Sequence, residues 1–338
     1  MNAGMKTVDW LFGEQLKVDD EWSVKNPTGF RWWAHKNLQT IEVVGHETGP
    51  NGEIADLVSV RTELLRGLVL ADRQLAALDA VLMRFATMAG PVYDQERKTL
   101  SLCSLVRVHD GISQWMNPLI SVAAVLQLGE ASVMASKLAR PLDAEEAVSG
   151  PPGREMRSEP DEMAGAIATL IAPMGKKPSR WSPAEFQQAV DEYMQAPPSL
   201  LANAGGTGFT VEFPYGNQSS LCQVMSDQPH PSLGNGLLLL QSFPVTGKSD
   251  VEGSRIALSM NRVELTERPF GYGFGSYTYR PDTLHFTCFF PNALYRPGLL
   301  PNIYFSCAGR AREMSVRLAG SDWTETSFAT TELRRQNI

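Results

Sequence analysis

Two hydrophobic periodicities alternate along the first half of the chain. A strand is predicted to start at Phe30–Ala34, and residues 38–44 and 57–62 alternate apolar and polar side chains, which predicts two more strands of an antiparallel meander after a short N-terminal helix. Residues 72–85 place Leu, Val and Phe at helical spacing, and residues 92–108 indicate a hairpin across Glu-Arg-Lys. A long helix is predicted for Ser113–Ala139. The order is helix, three strands, helix, two strands, helix.

The second half repeats that order. Strands are predicted for Phe209–Phe213, Leu221–Met225 and Leu237–Phe243. A helix over 251–266 and a hairpin over 272–290 follow, and the last helix is predicted for residues 299–318. Both halves therefore predict an antiparallel sheet packed against helices.

A short sequence repeat supports this correspondence. Residues 129–139, GEASVMASKLA, recur as GRAREMSVRLA at 309–319, 180 positions later, with five identities in eleven residues. Thr99-Leu100 and Thr283-Leu284, which begin the last predicted strands, are 184 positions apart. Self-similarity at a fixed spacing indicates an internal duplication. The predicted fold class is α+β, with two tandem similar units.

The composition divides the chain into four parts. Residues 1–140 form the first predicted unit and residues 161–320 the second. Residues 141–160 are polar and rich in Pro and Gly, which predicts a flexible linker. Residues 321–338 predict a loose polar tail.

The charge balance limits the classes of partner. A net charge of −7 and a pI near 5.4 argue against nucleic acid, because phosphate binding depends on Lys and Arg. The N-terminus has no continuous apolar centre, so we expect no signal peptide. The longest apolar run, residues 119–128, is too short to span a bilayer. These features predict a cytoplasmic protein without a membrane span.

Residues that could carry out catalysis or bind a cofactor do not form a recognisable motif. The four cysteines form no CxxC pair and the five histidines form no HxxxH or HExxH pair, so we expect structural thiols, no metal site and no cofactor. The GYGFG run at 271–275 precedes a strand-like segment, which favours a twisted or bulged strand over a phosphate loop. His109-Asp110 is the only close His–Asp pair, and a nucleophilic role for Cys103 beside His109 has no supporting pattern. No catalytic residue is predicted.

Aromatic residues are the better candidates for a binding surface. Trp32 and Trp33 are adjacent, so in a strand they face opposite sides and one of them faces outwards or into a partner. Large aromatic side chains dominate the energetics of protein interfaces. The predicted contact residues for another polypeptide are Trp32, Trp33, Trp115, Tyr277 and Tyr279.

The order of elements resembles the type III secretion chaperone-like fold, the class of the CesT-type chaperones and the YbjN-like proteins. The similarity rests on the last strand and helix of each half, TLSLCSLVRVHDGISQWMNPLISVAAVL and TLHFTCFFPNALYRPGLLPNIYFSCAG. It implies a protein-binding protein, a chaperone or adaptor, and two fused units would act as a pseudo-dimeric monomer or as a homodimer.

Two other classes of function remain open. One is an enzyme or small-ligand-binding protein with a site between the two units that uses His109, Asp110 and His285. The other is a structural subunit of a larger assembly.

Overall fold

The architecture was determined as a computed structural model, which describes residues 2–49, 52–82, 87–171, 181–193, 199–203 and 206–318. The predicted polar tail at 321–338 lies outside the described residues. Runs of antiparallel strands are separated by helices, so the protein belongs to the α+β class.

The first fourteen helices and strands contain the first sheet, five helices and the first two strands of the second sheet, and the first of them leads into a π-helical turn at Leu11–Gln15. In chain order they are α1 Ala3–Trp10, β1 Ser23–Asn26, β2 Gly29–Trp32, β3 Gln39–Thr48, β4 Ile54–Arg66, α2 Asp72–Leu82, β5 Gly90–Asp94, β6 Thr99–Val108, α3 Ser113–Ala139, β7 Glu145–Glu146, α4 Glu162–Ile171, α5 Pro183–Tyr193, β8 Ser199–Asn203 and β9 Gly206–Tyr215.

The remaining elements complete the second sheet and its helices. They are β10 Gln218–His230, β11 Gly234–Pro244, α6 Asp250–Arg262, β12 Ser276–Arg280, β13 Thr283–Pro291 and α7 Leu299–Leu318. A π-helical turn at Val263–Glu267 extends α6. The bounds of α3 and α7 match the predicted ranges, because both helices bury apolar residues at helical spacing.

The two sheets have the same strand order. The first sheet is β1-β2-β3-β4-β6-β5, with β7 added beside β4, and the second is β12-β13-β11-β10-β9-β8. In each, a four-stranded meander pairs through its last strand with the second strand of the closing hairpin. The edge strands β1 and β8 were not predicted, because both are short and carry little alternation of apolar and polar residues.

The residue pairing gives a position-by-position correspondence between the sheets. Thr62 pairs with Leu102, and Gln241 pairs with Phe286, which is 184 positions after Leu102. Gln241 therefore occupies in the second sheet the place of Thr62 in the first. Each sheet has an inner face, which the long helix covers, and an outer face, whose residues alternate with the inner ones.

The inner face of the first sheet contains a buried polar network. Gln39 donates to Thr62 at 2.7 Å, Thr62 donates to Gln127 of α3 at 3.1 Å, and Gln127 donates to Ser104 at 3.0 Å. Because every member has a partner, the network costs little free energy and fixes α3 against the sheet. Trp32 joins it through its indole N–H, which donates to Gln39 at 2.9 Å.

The equivalent positions of the second sheet carry cysteines. Cys222, which pairs with Gln241, takes the place of Gln39, while Cys288 and Cys307 lie 184 and 180 positions after Ser104 and Gln127. All four cysteines of the chain are buried free thiols. Gln241 donates instead to the carbonyl of Cys307 at 2.9 Å.

A buried ion pair completes this second core. The Arg310 guanidinium donates to both carboxylate oxygens of Glu264, at 2.7 and 3.1 Å, and lies 3.5 Å from the centroid of the Phe286 ring. The Tyr277 hydroxyl donates to the same carboxylate at 2.6 Å. Since both charged side chains are almost fully buried, each depends on the other for its stability there.

The two sheets meet through reciprocal backbone contacts. The N–H of Leu105 in β6 donates to Gly273 O at 3.2 Å, and the N–H of Phe289 in β13 donates to Thr87 O at 3.3 Å. Leu105 and Phe289 are 184 positions apart, so equivalent strands receive equivalent segments from the other half. Leu78 of α2 and Leu258 of α6 belong to one apolar cluster across the same seam.

The glycine-rich run lies at this seam. Gly273 has a φ of +73°, and a Cβ there would overlap the backbone of Leu105. The predicted strand for this run begins only at Ser276, because the glycines allow a close approach between the two halves.

Residues 141–160, for which we predicted a free linker, lie against the first sheet. Glu145–Glu146 pair with β4, and Leu142 and Ala147 are buried. The segment's composition cannot form a core of its own, but the first half provides one. The following helix α4 packs on α3, so its contacts extend to the first half.

One described helix, α3, is long and apolar enough to cross a membrane by length and composition alone. In this structure α3 is the central helix of the first half. The rest of the protein buries the larger part of its most apolar stretch.

Candidate protein-binding face

The tryptophans predicted as contacts are not available to a partner. Trp32 is fully buried on the inner face of the first sheet. Trp33, predicted as one of two opposed side chains, is also buried, and its indole donates to Ser149 at 3.0 Å. The prediction that one of these two side chains faces outwards is wrong, because residues 141–160 cover Trp33. The spacing of apolar residues gives no indication of this cover.

The other three predicted contacts hold the structure together. Tyr277 and Tyr279 are buried, the former on Glu264 and the latter through its hydroxyl on the Lys248 carbonyl at 3.1 Å. Trp115 is half-buried, donates to the Pro297 carbonyl at 2.9 Å and lies beside another ring of the second half. These aromatic residues pack the core and the seam.

The outer face of the second sheet presents apolar side chains instead. Met225 pairs with Leu238, and Leu221 and Leu240 project from the same face of β10 and β11. All four are half-buried and alternate with fully buried inner residues. The helices α5 and α7 pack on the inner face, through Phe186 on Phe209 and through rings such as Tyr304 on Phe213. We call Leu221, Met225, Leu238 and Leu240 the apolar face.

The first sheet has polar residues at three of the four equivalent places, and Leu38 takes the place of Leu221. The pair Met225–Leu238 corresponds to Glu42–Ser59, and the pair Gln223–Leu240 corresponds to Thr40–Arg61. A shared scaffold therefore carries charge on one outer face and apolar side chains on the other. Solvent exposure of a strand face favours polar residues, and the apolar face differs in this respect from the first sheet, while Leu238 also packs against the buried core.

Part of the second outer face is already occupied by the first half. Ser276, Thr278 and Thr287 of β12 and β13 are buried there. Asp79 of α2 accepts from the Tyr279 N–H at 3.3 Å and pairs with Arg280 at 3.5 Å. The apolar face continues this internal interface across β11 and β10.

A cleft at the seam is one alternative site. It has a volume of about 630 Å³ and is lined by both halves, including Arg107, His109, Arg268, Phe270 and Phe305. Arg107 is engaged by Glu47 at 2.6 Å and by the carbonyls of residues 269 and 271. The volume of the cleft suits a small molecule.

The residues predicted for a site between the halves do not converge there. His109 lines the cleft, whereas Asp110 pairs with Lys6 at 3.0 Å on the exposed surface. His285 lies on the second outer face, 2.9 Å from the Ser242 hydroxyl. Burial and then the charge of Arg280 lower the pKa of His285, so its imidazole is neutral near pH 7.

The Cys103 thiol is not a reactive nucleophile, and the described residues form no candidate metal site. Burial raises the pKa of Cys103 to about 12, so the thiolate required of a nucleophile is absent near neutral pH. Within the described parts of the chain, no group of three or more His, Cys, Asp or Glu side chains is placed to hold a metal ion.

Comparison with known proteins finds no match among family models, curated proteins or solved structures. The resemblance to type III secretion chaperone-like proteins therefore stays a prediction.

The apolar face has a signal in the sequence. Residues 237–240 are four consecutive leucines, whereas a half-exposed strand normally alternates. The run predicts a strand but does not indicate which leucines face outwards. Only alignment of the two halves at Thr62 and Gln241 assigns Leu238 and Leu240 to positions that are polar in the first sheet.

Proposed function

We propose that this chain is a non-catalytic, cytoplasmic protein-binding protein, a chaperone or adaptor, whose apolar face holds a segment of another polypeptide. The observation that carries the proposal is the replacement of Glu42, Ser59 and Arg61 by Met225, Leu238 and Leu240 on a common scaffold. Apolar side chains that neither folding nor solubility favours are typical of interaction sites.

The proposal includes the origin of the two halves. Equal strand orders and the reciprocal bonds at Leu105 and Phe289 support a fused pair of similar units, a pseudo-dimer within one chain. The resemblance to type III secretion chaperone-like proteins, many of which act as dimers and hold other proteins, agrees with this arrangement. Divergence of one outer face would then give the pair a single binding side.

The test exchanges residues between equivalent positions. A Met225→Glu/Leu238→Ser/Leu240→Arg variant places on the second sheet the residues that the first sheet has there, so the fold should tolerate them. Tagged wild-type protein and variant are cross-linked in host cells, and the captured polypeptides are quantified by mass spectrometry. We expect discrete polypeptides with the wild type and on the order of 10-fold less with the variant, as for loss of a central apolar anchor.

A matched control keeps the result specific. Glu42→Gln/Arg61→Gln changes the same rows of the first sheet and should leave capture unchanged. Circular dichroism and thermal unfolding of both variants establish that they fold. Equal capture by wild type and a folded triple variant would exclude the apolar face as the binding site.

The second candidate function is the binding of a small molecule in the seam cleft, favoured by its volume and its lining from both halves. A thermal-shift screen of metabolites with wild type and a Phe305→Ala variant tests it. A ligand that raises the Tm of the wild type alone would support this function.

A further inference from the structure

A helix of this chain already fills a groove that is equivalent to the seam cleft. The helix α4 packs on α3 and on the 3₁₀ turn Asn292–Leu294. In the other half, α7 is the counterpart of α3, and residues 108–110 lie 184 positions before that turn. The seam cleft is lined by α7 and by His109. Equivalent walls therefore hold a helix at one place and enclose the cleft at the other.

The buried residues of α4 have the spacing of a helix that lies in a groove. They are Ala164, Ile167 and Ile171, at positions i, i+3 and i+7. They belong to the same apolar cluster as Val125 and Leu126 of α3, which are only 3% and 7% exposed. The contact between α4 and α3 is thus a helix-in-groove contact within the chain.

The equivalent side chains of α7 are less covered. Phe305 and Ser306, which lie 180 positions after Val125 and Leu126, are half-buried and line the seam cleft. The described part of the chain leaves a volume of about 630 Å³ open at this place. The second groove therefore has room for an occupant that α4 supplies to the first.

The cleft has apolar side chains that suit the anchors of such a helix. Ile112 and Met116 of the first half and Phe270 and Phe305 of the second half line it. These residues continue the internal interface between the halves out to the surface, so an occupant would extend an interface that the fold already forms.

The walls of the cleft are more polar than those of the groove that holds α4. Asn302 and Ser306 take the places of Val122 and Leu126. The Arg268 side chain, which also lines the cleft, is more than half exposed. An occupant that fits these walls carries polar groups beside its apolar anchors, because buried polar groups need hydrogen-bond partners.

From these observations we infer that the seam cleft is a docking site for an amphipathic helix of another protein. The helix has apolar side chains at i, i+3 and i+7, as α4 has, and polar residues beside them that face Asn302, Ser306 and Arg268. Because the apolar face of the second sheet is not part of the cleft, this docking site is independent of the proposed function.

The probe is a labelled peptide with the sequence of residues 161–171. A staple between its positions 165 and 169, which are exposed in α4, keeps it helical, because so short a helix is marginal in water. Fluorescence anisotropy with the full-length chain gives its Kd. We expect saturable binding that Phe305→Ala weakens on the order of 10-fold, as for loss of an aromatic anchor.

A second variant tests the equivalence of the two grooves by a gain of binding. Asn302→Val/Ser306→Leu gives α7 the residues that α3 has against α4. It should bind the peptide on the order of 10-fold more tightly than the wild type, because apolar anchors then meet apolar side chains. Leu238→Ser/Leu240→Arg on the apolar face should leave the Kd unchanged. Circular dichroism establishes that each variant folds.

A photo-crosslinker at position 170 of the peptide locates the bound peptide. Cross-links to residues 302–309 would support the docking site. Cross-links to residues 122–129 would mean that the peptide displaces α4 from its own groove, and would overturn the assignment to the cleft.

The remaining outcomes name other occupants. Absence of peptide binding, or binding that Phe305→Ala leaves unchanged, would overturn the docking site and leave the proposed function standing. A metabolite that stabilises the wild type but not Phe305→Ala, without peptide binding, would assign the cleft to a small molecule. A dimer that Phe305→Ala dissociates in light scattering would make a second copy the occupant. Cross-links in the free chain between residues 302–309 and residues after 318 would make the chain's own end the occupant. Each of these three results would replace the partner helix.

Discussion

At the scale of single residues, side chains of different chemistry fill equivalent positions of the two cores. The first half uses the Gln39–Thr62–Gln127–Ser104 network, in which each buried polar group has a partner. The second half uses thiols, which pack as small apolar groups, and concentrates its polar interactions on Arg310 and Glu264. The stability of the second half is therefore sensitive to one ion pair.

Removing one partner of that pair should be costly. Arg310→Met leaves the Glu264 carboxylate buried without its guanidinium, and we expect unfolding free energy to fall by about 3–5 kcal/mol. Urea unfolding followed by circular dichroism measures the loss.

The double variant Arg310→Met/Glu264→Gln should recover part of it, because no buried charge remains unpaired. Losses that simply add in the double variant would show that the two side chains do not act as a pair.

At the scale of elements, the segments before β5 and β12 decide how the halves join. Each crosses to the hairpin strand of the other half, and Gly273 makes the closest approach, against Leu105. Its φ of +73° and the lack of room for a Cβ both require glycine. The GYGFG run is thus explained by backbone packing.

Gly273→Ala should reduce the free energy of unfolding by about 3 kcal/mol, because backbone strain adds to displacement of the β6 backbone. Gly247 is the matched control, since its φ is +74° but a Cβ there would meet nothing within 4 Å. Gly247→Ala should cost only about 1 kcal/mol, the strain alone. If both variants lose the same free energy of unfolding in chemical denaturation, the seam contact does not explain the requirement for glycine at position 273.

At the scale of the whole molecule, the halves share one core. A single apolar cluster contains Val58 and Ile120 of the first half and Phe213 and Leu300 of the second, and α4 packs on α3. The segment 141–160, which composition alone would treat as a tether, is part of this packing. The two sequence repeats therefore do not correspond to two separable cores.

We expect the chain to unfold in one cooperative transition. Calorimetry should give a ratio of calorimetric to van't Hoff enthalpy of about 1, and fluorescence and circular dichroism should give coincident urea transitions. Two resolved transitions would mean that the seam contributes little to the stability of either half.

The local sequence determined the elements and their order. Apolar spacing set α3 and α7, alternation set β3 and β4, apolar runs set β6 and β11, and the repeat at 129–139 and 309–319 indicated two similar halves. These features depend on residues close together in the chain, where side-chain periodicity and backbone geometry are directly linked. The candidate site could not be predicted from local sequence, because segments distant in the chain bury Trp33, Tyr277 and Tyr279.

Tertiary structure alone decided which faces are covered. The same alternation predicts an inner and an outer side for both sheets, but only the packing of α3, α7 and the seam assigns them. That assignment places Leu238 and Leu240 on the outer face, at the positions equivalent to Ser59 and Arg61 of the first sheet, and makes this apolar strand a candidate binding face. The physical reason is that periodicity specifies two sides of a strand, whereas burial depends on what the rest of the chain places against each.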